Sequence, residues 1–245
     1  EMYQLIGRIF NADGSPSGPE FDVSDSTGLV WPATTTLSNG NFVTVWLQYD
    51  DTEEEYSYPY TDTAVYFKIF NAAGETVVEE TMIFDAADHS FVGYLFPPQI
   101  EALPDGGFAI SWNDTESLDR AETHSVYTAI YDNQGQEVVE PYRVSEGERE
   151  IVSWLSDMSV DEDGNVLIVW EGTADSYMRP DLEDITYGTI LDPNGNVLVE
   201  AFEIENAVDA GGWRPDCQAT AFLPNGQFVI TWLGTYIASS GPDAG

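Results

Sequence analysis

The sequence predicts an all-β chain built from four repeats, and three observations support this. Four similar segments recur at intervals of 60, 61 and 60 residues, starting at Ile9, Ile69, Ile130 and Ile190. A glycine followed six positions later by a tryptophan also recurs four times, at Gly40–Trp46, Gly106–Trp112, Gly164–Trp170 and Gly226–Trp232. No segment longer than about ten residues has a helical period.

Each repeat divides into four short strands, which we name A to D in chain order. In the first full repeat, strand A covers 33–37 and strand B covers 42–46. The A–B turns carry Asn-Gly or Asp-Gly, which supply the positive φ of a tight hairpin, and a second glycine turn separates strand C from strand D. Four antiparallel strands per repeat predict the blades of a β-propeller; a linear array of small sandwiches is the alternative.

The phase of the repeat predicts how the chain closes. The last repeat stops after strand B, at Trp232, whereas the first begins with strands C and D, at about 3–10 and 21–23. We therefore expect residues 1–245 to form one domain, a four-bladed propeller closed by pairing of the N-terminal and C-terminal strands, which leaves no unpaired sheet edge. A four-repeat window cut from a longer array would have the same phase.

Two segments resemble a repeat of large secreted bacterial proteins. They are 8–14, Arg-Ile-Phe-Asn-Ala-Asp-Gly, with 20–23, and 103–112, Leu-Pro-Asp-Gly-Gly-Phe-Ala-Ile-Ser-Trp. The repeat is similar to those of haemolysin-type calcium-binding (RTX) and adhesin proteins, and the resemblance covers essentially the whole chain. It implies an exported protein in a calcium-rich setting. The glycine- and aspartate-rich nonapeptides that bind calcium in RTX proteins are absent, so their ligands have no counterpart here.

Composition excludes several classes of partner. The chain has 44 Asp and Glu against 7 Lys and Arg, a formal charge of −37, so no basic stripe for nucleic acid can form. No apolar run approaches the ~20 residues of a membrane span, so we expect no membrane insertion. The single cysteine, Cys217, permits no internal disulfide. We expect a secreted protein, monomeric or part of a longer chain.

Acidic residues are concentrated in the B–C loops, which we place at 47–64, 113–126 and 171–186. Oxygen-rich loops suit Ca²⁺, which takes six to eight oxygen ligands. The candidate metal ligands are Asp50, Asp51, Glu53, Asp114, Glu116, Asp175, Asp181, Glu183 and Asp184. The alternative is a solvated acidic surface that keeps the protein soluble.

Aromatic residues fall on the same predicted face, beside the acids. Flat rings stack on sugars while carboxylates accept hydrogen bonds, so this mixture favours a glycan or peptide ligand. The candidate ligand-binding residues are Tyr56, Tyr58, Tyr60, Trp31, Tyr94, Trp154 and Trp213. The alternative for the three tryptophans is packing between blades.

No recognisable catalytic motif is present, and the sequence identifies no catalytic residue. The chain has only two histidines and lacks HExxH, GxSxG and phosphate-loop patterns. We therefore expect an extracellular ligand-binding or adhesion module, stabilised by Ca²⁺. The alternatives are a secreted glycan-active hydrolase or lyase that uses a pair of carboxylates, and a structural spacer.

Overall fold

The computed structural model describes residues 4–26, 29–49, 63–85, 97–118, 121–145, 151–174, 185–206 and 213–236. Every regular element in these ranges is a strand, so the all-β prediction is confirmed. The strands are β1 Ile6–Gly7, β2 Phe21–Asp22, β3 Leu29–Thr36, β4 Phe42–Tyr49, β5 Thr63–Phe70, β6 Thr76–Asp85, β7 Gln99–Ala102, β8 Phe108–Leu118, β9 Ala121–Tyr131, β10 Glu137–Arg143, β11 Ile151–Val160, β12 Val166–Ala174, β13 Ile185–Leu191, β14 Val197–Asn206, β15 Trp213–Phe222 and β16 Phe228–Tyr236.

The strands form three complete sheets flanked by two hairpins. Each complete sheet has four antiparallel strands in chain order; we call β3–β6 blade 1, β7–β10 blade 2 and β11–β14 blade 3. The N-terminal hairpin, β1–β2, and the C-terminal hairpin, β15–β16, are separate two-stranded sheets. The first strands of successive sheets lie against one another, so β3, β7, β11 and β15 form an inner row.

The tight turns follow from the residues that the sequence places in them. The turn glycines at all eight A–B and C–D positions have positive φ, as at Gly195 with φ +78°. In that turn, Asp192 Oδ1 accepts the N–H groups of Asn194 and Asn196, both at 2.8 Å. Short polar side chains that bond the backbone two and four residues ahead hold such turns in place. The predicted hairpin turns are therefore confirmed.

The recurring tryptophan belongs to the packing of each complete blade. Trp46, Trp112 and Trp170 lie within their B strands and have exposed fractions of 0%, 1% and 2%. Each stacks on the tyrosine opposite it on strand C, with ring centroids about 6 Å apart: Trp46 on Tyr66, Trp112 on Tyr127 and Trp170 on Tyr187. Such aromatic pairs add stabilisation beyond the apolar area that they bury.

Apolar clusters fill the spaces between successive sheets. Between blades 1 and 2, Val45 and Phe67 pack with Ile110 and Trp112. Between blades 2 and 3, a second cluster brings Ala109 of β8 against β11 and β12. A smaller cluster joins the N-terminal hairpin to blade 1 through Val23, Trp46 and Phe70. Both faces of blades 1 and 2 are thus buried, which explains why five consecutive residues of each B strand, 43–47 and 108–112, are all buried.

Two predicted boundaries differ from the structure. The loop predicted over 113–126 is largely strand, because β8 runs to Leu118 and β9 begins at Ala121, with the ladder continuing to the pair Leu118–Ala121. The threonine, serine and valine residues along this stretch favour extension of the hairpin. The first A strand, predicted over 33–37, also starts earlier, since β3 begins at Leu29.

The predicted closing pair is not formed in this structure. Among the described residues, β1 bonds only to β2 and β16 bonds only to β15.

None of the described elements is a helix long and apolar enough to cross a membrane.

Candidate functional site

Two carboxylates lie on neighbouring strands of the inner row. Glu101 is on β7 of blade 2, opposite Ala109 of β8, and Asp157 is on β11 of blade 3, opposite Val169 of β12. Both residues are half-buried. Because β7 and β11 lie side by side, the two side chains are close enough to interact electrostatically.

The surroundings of Glu101 disfavour its charged form. Partial burial raises the pKa of its carboxyl group, because desolvation disfavours the charged form, and the negative charge of Asp157 raises it further. Two neighbouring carboxyl groups in different environments are the arrangement that distinguishes an acid from its partner in carboxylate-based hydrolysis.

Asp157 is held in place from the next sheet along. Its Oδ2 accepts the backbone N–H of Thr220 at 2.5 Å, and Thr220 is on the inner strand β15. The Thr220 hydroxyl also lies 2.9 Å from the Ser159 hydroxyl, two residues along β11 from Asp157. These contacts fix the Asp157 carboxylate between two inner strands.

The acids occupy register positions that the other repeats fill with small or neutral side chains. The position of Glu101 is taken by Thr35, Ser159 and Ala221 in the other inner strands. The position of Asp157 is taken by Ala33, Gln99 and Ala219. Each acid therefore occurs at its register position in one repeat only, and the two acids lie on adjacent inner strands.

Trp31 is the predicted ligand-binding residue whose side chain the structure describes. It lies in a bulge of the inner strand β3, between Val30 and Ala33, and its side chain is 42% exposed. Its φ is +50°, which is rare for a residue with a bulky side chain, and strained backbone of this kind clusters at active and binding sites. The inner row thus presents an exposed indole and a carboxylate pair. Ligand binding by Trp31 stays a prediction.

The other predicted site residues divide into two groups. Trp154, Trp213, Asp114 and Glu116 have a described backbone, on strands β11, β15 and β8, but no described side chain. The remaining residues lie outside the described ranges: Tyr56, Tyr58, Tyr60, Tyr94, Asp50, Asp51, Glu53, Asp175, Asp181, Glu183 and Asp184. Their roles in ligand and metal binding stay predictions.

The sequence analysis does not select Glu101 and Asp157, because the acidic residues are concentrated in the B–C loops. Their sequence signal was an acid inside an inner strand, as in Gln-Ile-Glu-Ala at 99–102, where the other repeats have none at that position.

A metal centre is not visible in the part of the chain that the structure covers. No group of three or more His, Cys, Asp or Glu side chains there is arranged to hold a metal ion. Most of the acids proposed as Ca²⁺ ligands lie outside that part, so stabilisation by Ca²⁺ stays a prediction.

Comparison with known proteins identifies solved structures but no family. No family model matches the chain, and no curated protein matches it. The α-L-arabinofuranosidase of Fusarium graminearum in complex with arabinobiose aligns at a TM-score of 0.51 and 14% identity, over 89% of this chain and 59% of that protein. The same enzyme with an iminosugar inhibitor gives 0.52 and 13%, over 100% and 63%.

A second fungal enzyme aligns in the same way. The α-L-arabinanase of Penicillium chrysogenum in complex with arabinobiose gives a TM-score of 0.50 at 12% identity, over 84% of this chain and 57% of that protein. The chain thus spans about three fifths of the length of the solved structures that it matches. At these identities the likeness shows the fold, and it supports the β-propeller architecture.

The comparison corrects the predicted function. The interpretation as a ligand-binding or adhesion module is wrong: the similar solved structures are arabinofuranosidases and an arabinanase, which are glycoside hydrolases. They favour the alternative of a glycan-active hydrolase. The turn glycines and core tryptophans behind the RTX resemblance are scaffold residues that carry no information about the ligand.

Proposed function

We propose that this chain is a glycan-active hydrolase, or part of one, in which Glu101 and Asp157 form the acting carboxylate pair. The observation that carries the proposal is the placement of two interacting carboxyl groups, one of them with a raised pKa, on adjacent inner strands. The likeness to glycoside hydrolases of the same fold supports it. Fold alone does not determine activity, whereas a pair of interacting carboxyl groups suits glycoside hydrolysis.

The chemistry assigns each carboxylate a role. Glu101 donates its proton to the glycosidic oxygen as the bond from that oxygen to the anomeric carbon breaks. A water molecule then bonds to the anomeric carbon in place of the leaving sugar, and the proton that this water loses restores the one that Glu101 gave up. Asp157 is the carboxylate that faces the developing positive charge. The Thr220 N–H bond keeps Asp157 oriented for this role.

Arabinose-containing oligosaccharides are the first substrates to test, since the similar enzymes were solved with arabinobiose. We propose an extracellular glycan as the natural ligand. Trp31, exposed on the inner strand β3, would stack against a sugar face.

The blade number belongs to the same proposal. Three complete sheets and two hairpins contain the strands of four blades, and we propose a four-bladed ring whose fourth blade consists of the two hairpins. In such a ring, the inner row would surround one opening that contains both acids.

The proposal is tested by incubating the chain with arabino-oligosaccharides and measuring released sugars by chromatography. We expect release by the unaltered chain and at least a ~100-fold loss in Glu101→Gln and in Asp157→Asn. Glu137→Gln, at an exposed position on β10, is the matched control and should retain full activity. Release that is unchanged in Glu101→Gln and Asp157→Asn would contradict the assignment.

A further inference from the structure

The C-terminal and N-terminal hairpins lack complementary halves of a blade. In the complete blades, strand B pairs with strand C, as β4 pairs with β5, β8 with β9 and β12 with β13. By its place in the repeat, β16 is a B strand and β1 is a C strand. In the described part of the chain, each pairs on one side only.

Residues on these two edges are exposed where their counterparts are buried. Trp232 is 41% exposed, whereas the tryptophans at the same position of the complete blades are 0–2% exposed. Phe10 is 58% exposed, whereas its counterparts Phe70, Tyr131 and Leu191 are 1–4% exposed. Each exposed side chain thus lacks the cover that the other half-blade would supply.

A cleft beside β1 has the position of a missing B strand. It has a volume of about 340 Å³ and is lined on one side by Leu5, Gly7 and Ile9 and on the other by Phe42 and Thr44 of blade 1. Between blades 1 and 2, the equivalent space is filled by B-strand residues of blade 1, including Val43, Val45 and Leu47.

The matching side chains of β16 are exposed and chemically suited to that cleft. Val229 and Leu233, the counterparts of Val43 and Leu47, are 43% and 59% exposed. Exposed apolar side chains along a free strand edge are uncommon in a monomer and indicate a surface that becomes covered.

The three complete blades define the register of the missing pair. Phe42 lies opposite Phe70, Phe108 opposite Tyr131 and Val166 opposite Leu191. Transferred to the half-blades, this register places Phe228 opposite Phe10 and Trp232 opposite Ile6.

We propose that the C-terminal hairpin of the same chain docks into this cleft, with β16 adding to β1 in that register and Val229 and Leu233 filling the space against Phe42 and Thr44. The occupant is intramolecular because each chain carries a formal charge of −37, so that two copies repel one another. A tethered hairpin also acts at a high effective concentration. The inference specifies the ring proposed above and is independent of any hydrolase activity.

Cysteine cross-linking tests the register. In a Cys217→Ser background, Arg8→Cys with Ile230→Cys places two thiols directly opposite, whereas Phe10→Cys with Ile230→Cys offsets them by two residues. Under mild oxidation of dilute protein, we expect the matched pair to form an intrachain disulfide at least ~10-fold faster than the offset pair, as read by peptide mass spectrometry. Disulfide-linked dimers would overturn the proposal in favour of a second copy, and equal rates for both pairs would overturn the register.

Hydrogen exchange of the unaltered chain provides a second test that no substitution can disturb. We expect the amides of 228–233 to exchange as slowly as those of 166–171 in β12, since both would pair on two sides. Alternate amides of 228–233 would bond to β1. If these amides exchange at least ~100-fold faster than the amides of β12, the proposal is overturned. Neither readout involves sugar release, so either can succeed where the hydrolase assay fails.

Discussion

The B strands and the A strands of the blades differ in how closely their repeats agree. In the B strands, the same tryptophan is buried on the same tyrosine in every complete blade. In the A strands, one register position holds Glu101 in blade 2 but threonine, serine or alanine elsewhere. Agreement among repeats therefore marks residues that hold the scaffold together, and a single departure marks a residue available for chemistry.

Replacing a scaffold tryptophan should produce the largest loss of stability. Trp112→Ala removes a side chain that is 1% exposed and packed between two blades, so we expect a loss of about 3–5 kcal/mol in the free energy of unfolding. The matched control is Trp31→Ala on the inner strand β3, where the side chain is 42% exposed and the loss should be below about 1 kcal/mol. Similar losses for both variants in urea denaturation would contradict the distinction.

A turn glycine tests whether turns contact the neighbouring blade. Gly195→Ala places a Cβ at φ +78° and 2.8 Å from Val139 Cγ1 of blade 2. Gly14→Ala meets the same backbone strain at φ +82° but has open space around it. We expect about 1–2 kcal/mol from the backbone in both, and about 1 kcal/mol more for Gly195→Ala from the contact with Val139. Equal losses in urea denaturation would show that Val139 moves aside at no cost.

Glu101→Gln should cause the smallest change in stability, and its sign is informative. Folding raises the pKa of Glu101. Relative to Glu101→Gln, the unaltered chain is therefore most stable below the ordinary pKa of 4.5, and it loses this stability as pH rises through the folded pKa. At pH 7, the variant should equal the unaltered chain or exceed it by up to about 1 kcal/mol, a limit set by solvent screening.

Denaturation from pH 4 to pH 8 measures this difference, with Glu137→Gln on the exposed face of β10 as the control. If the unaltered chain gained stability over Glu101→Gln as pH rose, ionised Glu101 would be a stabilising residue. Its proposed role as a proton donor would then be untenable.

The sequence was sufficient for those parts of the fold that depend on local contacts. Turn glycines, alternating strands and the tryptophan of strand B each act within a hairpin, so their spacing predicted the all-β repeat and the turns. The extent of the hairpin β8–β9 was not predicted, because acids such as Asp114 and Glu116 suggest a loop, whereas cross-strand pairing continues to Leu118.

The candidate site depends on contacts between repeats, which spacing alone does not define. Glu101 and Asp157 are 56 positions apart and meet only because β7 and β11 are neighbours in the inner row. The raised pKa of Glu101 likewise results from burial and from a charge on another blade. Comparing the repeats position by position would have singled out both acids, but it would not have paired them.

The central claim is that Glu101 protonates the leaving group, and the most direct test compares two leaving groups on one sugar. The measurement is kcat/KM of the unaltered chain and of Glu101→Gln on arabinobiose and on an aryl arabinoside whose phenolate leaves without protonation. We predict a loss of at least ~100-fold on arabinobiose and less than ~10-fold on the aryl arabinoside, because the second substrate needs no acid. Equal losses on both substrates, or no loss on arabinobiose, would contradict the claim.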